Sequence, residues 1–392
     1  MFKNTVSFII IFFLIYDMNL VFLPSVTTGR IAALYLLLTN FQSLKLLVAE
    51  YKNFLLGMIL ILFISLIQSI FSQDSTQFSR FFYFILYALI CPVLITYRIK
   101  NFRKISWFFL IAISIQSLIL IFVFFNPRFK SVLEAYIIYG GNFGVDNLYR
   151  SFGLSSSTGA ALSLIQGLGS GIGFYILSSD KFRWNWLALF LTVLCFLSTL
   201  FVGRTGLLIS IIFLSVYLMA SFKFVNLFRY ILIIGLVSYF SFGELLESKL
   251  NSINGFSTEF FFTWISDGLD IQDNKTIDAL LNQQSLPELT LQTLVIGTGT
   301  ITENGLNTSG HDSGFVQTYY SLGLLFTFFF YFSLILFLKE NFKSLNKKLI
   351  YLLIFLMLLL EIKEPFLFKY SEGFILLSLL FSLKYDKYLN FN

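Results

Sequence analysis

Residues 297–323, GTGTITENGLNTSGHDSGFVQTYYSLG, hold the only histidine among the 392 residues of the chain. His311 and Asp312 stand where a long polar segment turns into the apolar run 315–338, which is long enough to cross a bilayer. A histidine at the mouth of a membrane helix, beside a residue type that commonly caps helices, is the best candidate for chemistry in this sequence.

The composition around this stretch is that of an integral membrane protein. Hydrophobic residues make up 57% of the chain, charged residues only 12%, and the mean hydropathy is +0.81, whereas a soluble domain is about 25% charged. Cys91 and Cys195 both lie inside apolar runs, so we expect no disulfide framework, no metal site and no cofactor. The basic residues lie mostly in short loops between apolar runs, which indicates membrane topology rather than nucleic-acid binding.

Apolar runs of spanning length recur through the chain and predict an all-α polytopic membrane protein with about twelve transmembrane helices. The predicted spans are residues 6–22, 31–48, 54–71, 81–97, 105–125, 154–177, 184–202, 207–222, 225–242, 315–338, 349–360 and 366–383.

The basic residues also predict the orientation. The larger share of the 27 Lys and Arg residues falls on the side that holds both termini, so the positive-inside rule places both termini in the cytoplasm and His311 outside. The two long connections, 126–153 and 243–313, fall on the outer side. We therefore expect three regions: spans one to nine in 1–242, an outer loop subdomain in 243–313 between spans nine and ten, and the last three spans in 314–392.

Three arginines on the outer side suggest a ligand, because the positive-inside rule predicts few cations there. Arg80, Arg150 and Arg204 all lie at the start of an apolar run, where a charge is expensive unless it has a partner or an anionic ligand. The alternative is that each arginine reaches out to headgroup phosphates. Guanidinium groups bind phosphate oxygens in a bidentate manner, and a nearby histidine can accept a proton from a hydroxyl. Together these residues favour group transfer from a lipid diphosphate to a hydroxyl.

Four segments then resemble a known family in their residues and their order. They are RSFGLSSSTG (150–159), GRTGLL (203–208), PELTLQTLVIGTG (287–299) and HDSGFVQTYYSLGLL (311–325). This set resembles the O-antigen polymerase (Wzy) family, and the same blocks are similar to the related O-antigen ligases. Where ligases tend to place an arginine before the tryptophan of the outer loop, this chain has three phenylalanines before Trp264, which favours the polymerase.

The resemblance implies a GT-C-like, metal-independent, inverting glycosyltransferase of the bacterial inner membrane. Such an enzyme transfers a growing glycan from undecaprenyl diphosphate to another lipid-linked repeat unit on the periplasmic face. A chain-length regulator and a repeat-unit flippase are the protein partners that the resemblance implies, besides the lipid bilayer. Two alternatives remain: a ligase, whose acceptor is lipid A-core, and a flippase for lipid-linked oligosaccharides.

Site residues follow partly from the resemblance and partly from topology. By the matching blocks, Arg150 and Arg204 hold the donor diphosphate, and His311 activates or orients the acceptor hydroxyl. Further substrate-binding residues are expected at the outer ends of the spans: Arg80 from its position, Ser155 and Asp312 at helix N-termini, and Tyr319 as a ring that stacks on a sugar.

Overall fold

The computed structural model describes residues 2–139, 151–155, 159–178, 185–221, 290–303, 306–342, 345 and 347–389. Arg150, the predicted span 225–242 and most of the predicted outer loop lie outside these residues. Five described helices are long and apolar enough to cross a membrane, namely Leu47–Ser72, Thr76–Ile99, Phe102–Phe125, Ala160–Ser178 and Leu324–Asn341. This supports the predicted helical, membrane-embedded, polytopic protein, and the number of twelve spans stays a prediction.

Helices account for most of the described chain. The α-helices, numbered α1 to α15 in chain order, are Phe2–Tyr16, Thr28–Thr39, Phe41–Ser72, Thr76–Tyr83, Cys91–Ile99, Phe102–Phe125, Pro127–Tyr136, Ala160–Ser178, Asn185–Leu200, Arg204–Ser221, Leu291–Val295, Gly314–Leu322, Leu324–Asn341, Lys347–Lys363 and Tyr370–Leu389. A π-helix at Phe84–Ile90 joins α4 to α5, and a 3-10 helix at Phe366–Phe368 precedes α15. Strands Thr302–Glu303 and Leu306–Asn307 pair in antiparallel register.

The chain divides into two compact units. One unit contains Met1–Ile15, Gly29–Ile105 and Asn282–Asn392, and the other contains Tyr16–Thr28 and Ser106–Leu281. The three regions predicted from the sequence concern a different division, between membrane segments and outer loop, and stay a prediction. His311, Asp312, Tyr319 and Arg80 belong to the first unit, whereas Ser155 and Arg204 belong to the second.

Several predicted spans of the first unit are interrupted helices, among them the runs 315–338 and 81–97. The run 315–338 forms α12 and α13, which meet at Gly323 because its φ of +92° is a backbone conformation that ends a helix. The run 81–97 lies in α4, the π-helix and α5, so its hydrogen-bond pattern changes at Phe84, one turn after Arg80. Continuous apolar runs predict the location of these spans, but they do not reveal the breaks within them.

Residues 297–323 are folded so that their two ends meet. Thr298 N–H donates to Tyr320 O and Gly299 N–H donates to Ser321 O, both at 2.9 Å. Gly297 has a φ of +77°, and a Cβ there would overlap the backbone of Ser321 and Gly323. The side chain of Gln68 in α3 donates to Leu322 O at 3.2 Å and also to Ile296 O. The stretch that contains His311 is therefore a closed loop, anchored to a helix far away in sequence.

Three helices of the second unit, α8, α9 and α10, pack closely. A Cβ on Gly167 of α8 would lie 2.8 Å from Gly206 O in α10, and one on Gly173 would overlap the side chain of Thr192 in α9. The glycines of 167–173 thus let the helices approach, as small residues commonly do on membrane helices.

Gly297→Ala tests the closure of the loop, with Gly310→Ala as the matched control. Both glycines have positive φ, so either alanine costs about 1–2 kcal/mol of backbone strain. Only Gly297 has backbone atoms where the new methyl group would lie, while Gly310 has nothing within 4 Å. We expect Gly297→Ala to lower the thermal unfolding midpoint in detergent by several degrees more than Gly310→Ala. Equal midpoints for the two variants would contradict the close approach.

Candidate functional site

The His311 side chain is held by the backbone that follows it. Ser313 N–H donates to His311 Nδ1 at 3.0 Å, and Gln317 Nε2 donates to His311 O at 3.2 Å and to Asp312 O at 3.1 Å. A ring nitrogen that accepts a hydrogen bond carries no proton, so neutral His311 carries its proton on Nε2. In this arrangement Nε2 is a hydrogen-bond donor, and Nδ1 serves to orient the ring.

A buried carboxylate supports the residues after His311. Glu361 in α14 is 0% exposed; its Oε1 accepts a hydrogen bond from Tyr331 Oη at 2.6 Å, and its Oε2 accepts one from Leu367 N–H at 2.9 Å. Ser313 Oγ donates to Glu361 O at 3.4 Å, and a Cβ on Gly314 would overlap Glu361 Oε1. The His-Asp-Ser-Gly segment is thus packed directly on Glu361, and only glycine fits at position 314.

Arg80 lies in the same unit, on the short helix α4. The helix start is fixed by Asp74, which accepts hydrogen bonds from Thr76 N–H at 2.9 Å and from Thr76 Oγ1 at 2.6 Å. Thr76 Oγ1 also accepts from Ile301 N–H at 3.3 Å, which joins α4 to the loop 297–323. Arg80 itself is only 6% exposed, and its Cζ lies 3.7 Å from the centre of the Phe368 ring. The structure therefore places Arg80 in the interior of this unit.

In the second unit, hydrogen bonds join residues in or next to the two segments 150–159 and 203–208. Ser151 N–H, next to Arg150 in sequence, donates to Phe201 O at 2.7 Å. Ser163 Oγ donates to Gly203 O at 2.5 Å and accepts from Gly206 N–H at 2.7 Å, so one hydroxyl holds the backbone on both sides of Arg204. Arg204 is the first residue of α10. Arg150 itself and the side chain of Arg204 lie outside the description, so their roles stay predictions.

Tyr139 supports the segment that leads from Arg150 into α8. Its hydroxyl donates to Gly153 O at 2.8 Å. Burial, and to a lesser degree the charge of Glu134, raises the pKa of the Tyr139 hydroxyl well above its usual value. The phenol therefore stays protonated and keeps its donor role over the whole physiological pH range.

The other predicted substrate-binding residues have different surroundings. Asp312 is exposed, as a residue that meets a substrate requires. Ser155 is 1% exposed and Tyr319 only 9%, so both lie almost entirely in the interior. Little of the Tyr319 ring is available for stacking on a sugar in this arrangement.

The sequence did not predict the roles of three polar residues: Gln68 and Glu361 in the first unit and Ser163 in the second. Lys363 and Glu364 are the charged residues next to Glu361 in sequence, but Glu364 pairs with Lys369, and Glu361 accepts from Tyr331 and Leu367. Gln68 and Ser163 each interrupt an apolar run, and that is the one signal that marks them. Within the described residues, no group of three or more His, Cys, Asp or Glu side chains is placed to hold a metal ion.

Comparison with protein-family models, with curated proteins and with solved structures gave no match.

Tyr331→Phe tests the support that Glu361 receives. The substitution removes one hydrogen bond to a buried carboxylate, which costs about 1.5–3 kcal/mol. We expect a clearly lower midpoint of thermal unfolding in detergent, with a loosened His311 segment that shows faster amide hydrogen exchange. Tyr351→Phe is the control because Tyr351 is 55% exposed. A Tyr331→Phe protein as stable and as protected as the control would show that the Glu361 contact does not hold the segment.

Proposed function

We propose that the chain is an O-antigen polymerase: an inverting, metal-independent glycosyltransferase that acts on undecaprenyl-diphosphate-linked glycans at the periplasmic face of the bacterial inner membrane. The observation that carries the proposal is the hydrogen bonding in the second unit, where Ser151 binds Phe201 and Ser163 holds Gly203 and Gly206. Each contact joins a residue of one block to a residue that lies two to four positions outside the other block. The blocks are 150–159 and 203–208, whose arginines the family resemblance assigns to the donor diphosphate.

The chemistry is a direct displacement at the anomeric carbon. The acceptor hydroxyl oxygen forms a bond to this carbon as the bond to the diphosphate oxygen breaks, and the leaving undecaprenyl diphosphate takes the electron pair. The configuration at the anomeric carbon inverts, and the hydroxyl proton passes to water or to the departing diphosphate. Negative charge grows on the leaving diphosphate, so fixed guanidinium groups at Arg150 and Arg204 supply the larger part of the rate enhancement.

The geometry of His311 favours an orienting role over proton abstraction. Nδ1 of His311 already accepts a hydrogen bond from Ser313 N–H, so this nitrogen does not serve as the base. The proton of the neutral ring is on Nε2, and an N–H donor suits the orientation of an oxygen better than the removal of a proton. Of the two roles implied by the resemblance, we propose that His311 orients the acceptor.

The ligase alternative rests on the same blocks and differs in the acceptor, which would be lipid A-core. A purified protein offered each acceptor separates the two activities. Transport of lipid-linked oligosaccharide is the weaker alternative, because the sequence shows no internal duplication. Both termini in the cytoplasm, and a chain-length regulator and flippase as partners, belong to the same proposal.

Substitution of Arg204 tests charge stabilisation. Loss of one good contact of this kind commonly lowers the rate about 10²–10³-fold, so Arg204→Ala should leave almost no polymer. Arg204→Lys should restore only part of the activity because the planar fork is lost. The measurement is the lipopolysaccharide ladder on a gel, in a polymerase-deleted host that carries the genes for the cognate repeat unit. Arg103→Ala, at an exposed residue on the opposite predicted side, is the control; wild-type ladders from Arg204→Lys would contradict the bidentate role.

Substitution of His311 separates the two roles of the imidazole. A glutamine side chain can place an N–H donor near the position of Nε2, but it is not a base. We expect His311→Gln to retain measurable polymerisation and His311→Ala to lose most of it, with both proteins present in the membrane at wild-type levels. Equal loss of activity in His311→Gln and His311→Ala would contradict the orienting role and favour a general base.

A further inference from the structure

Two polar side chains on α4 are buried without hydrogen-bond partners among the described residues. They are Gln77, which is 0% exposed, and Arg80, which is 6% exposed. The atoms concerned are both amide atoms of Gln77 and both Nη atoms of Arg80. Residues three apart lie on one face of a helix, so both side chains leave α4 on the same face, and we call the pair the α4 cluster. We propose that Gln77 and Arg80 form a buried binding site for one phosphate group of a lipid-linked diphosphate.

The burial of these groups is costly unless a ligand compensates it. A guanidinium remains charged at every accessible pH. A buried donor without a hydrogen-bond partner has lost its bonds to water, and no new bond offsets the free energy of that desolvation. The Phe368 ring, 3.7 Å from Cζ of Arg80, covers a face of the guanidinium but cannot serve its N–H groups. The edge of the guanidinium therefore keeps its donors for another oxygen.

Glu361 does not take up these donors. It acts on Arg80 electrostatically, but its Oε1 accepts from Tyr331 Oη and its Oε2 from Leu367 N–H. The charge of Arg80 thus has a counter-charge in the same unit, while its hydrogen bonds remain unmade. The amide nitrogen of Gln77 adds neutral donors next to the guanidinium. A charged fork beside an amide donor is suited to a phosphate group, whose oxygens accept several hydrogen bonds at once.

The cluster also lies on the elements that support His311. Thr76, which precedes Gln77, accepts from Ile301 N–H of the loop 297–323, and Glu361 packs on Gly314. Directly after α4 the chain forms the π-helix Phe84–Ile90, a conformation often found at functional sites. The four polar atoms are shielded from solvent, so a ligand reaches them by displacing the aromatic side chains around α4, among them Phe81 and Phe368.

The identity of the ligand rests on the proposed function, whereas the site rests on the cluster itself. The test uses the full-length protein in phosphatidylcholine nanodiscs and measures equilibrium binding of undecaprenyl diphosphate. Undecaprenol, phosphatidylglycerol and inorganic pyrophosphate are the comparison probes. The wild type is expected to bind undecaprenyl diphosphate more tightly than undecaprenol or phosphatidylglycerol.

Two conservative variants and one control carry the test. Gln77→Leu and Arg80→Lys should each weaken the binding of undecaprenyl diphosphate about 10- to 100-fold, because each loses hydrogen bonds to a charged group. Ser378→Ala is the control: it removes a different buried side-chain atom that has no partner among the described residues, and it should leave the affinity unchanged. The thermal unfolding midpoint of each variant checks that it is folded.

The outcomes separate the site from the function. Wild-type affinity in both folded variants overturns the site, even if the protein polymerises glycans. Equal affinity for phosphatidylglycerol, lost in the same variants, shows a general headgroup site and overturns the assigned ligand. If the wild type forms no polymer but binds pyrophosphate, and Gln77→Leu and Arg80→Lys both weaken that binding, the proposed function is wrong and the phosphate site is supported.

Discussion

The buried carboxylate of Glu361 is the interaction on which the arrangement around His311 depends. It is fully enclosed, and its two oxygens accept hydrogen bonds from the side chain of Tyr331 in α13 and from the backbone of Leu367. In an apolar interior such a group is costly unless each of its acceptors is satisfied. These bonds bring α13, α14 and the 3-10 helix to one point, and the His-Asp-Ser-Gly segment packs on that point through Ser313 and Gly314.

Interrupted helices are the second feature of the first unit. Gly323 ends α12, and the π-helix follows α4. The segment 297–323 is closed by backbone hydrogen bonds between its two ends. A helix break at membrane depth exposes backbone groups that lipid cannot satisfy, so breaks persist where protein groups replace the missing bonds. Gln68 does this for the carbonyl groups of Ile296 and Leu322. The result is irregular, polar backbone held by hydrogen bonds at the ends of apolar helices.

Sequence patterns predict the class of this protein well and its site only in part. Long apolar runs predict the described membrane helices because hydrocarbon selects for them directly, and the small residues of 167–173 predict close packing. The break within the run 315–338 depends on the positive φ of Gly323, and a single glycine in an apolar run does not predict it. Glu361 accepts a hydrogen bond from Tyr331, which lies 30 positions away in sequence. Sequence proximity alone would suggest a neighbouring lysine, such as Lys363, as the partner of this carboxylate. Tyr319, expected to meet a sugar, turns inward because α12 buries that face.

The central claim is that this membrane protein forms glycosidic bonds at the expense of a lipid diphosphate. The most direct measurement uses the purified protein in liposomes, supplied with an undecaprenyl-diphosphate-linked repeat unit, and follows glycan length and free undecaprenyl diphosphate together. We predict that polymers of the repeat unit form and that one undecaprenyl diphosphate is released for each new glycosidic bond. Movement of the intact lipid-linked unit across the bilayer, with no change in glycan length and no lipid released, would contradict it.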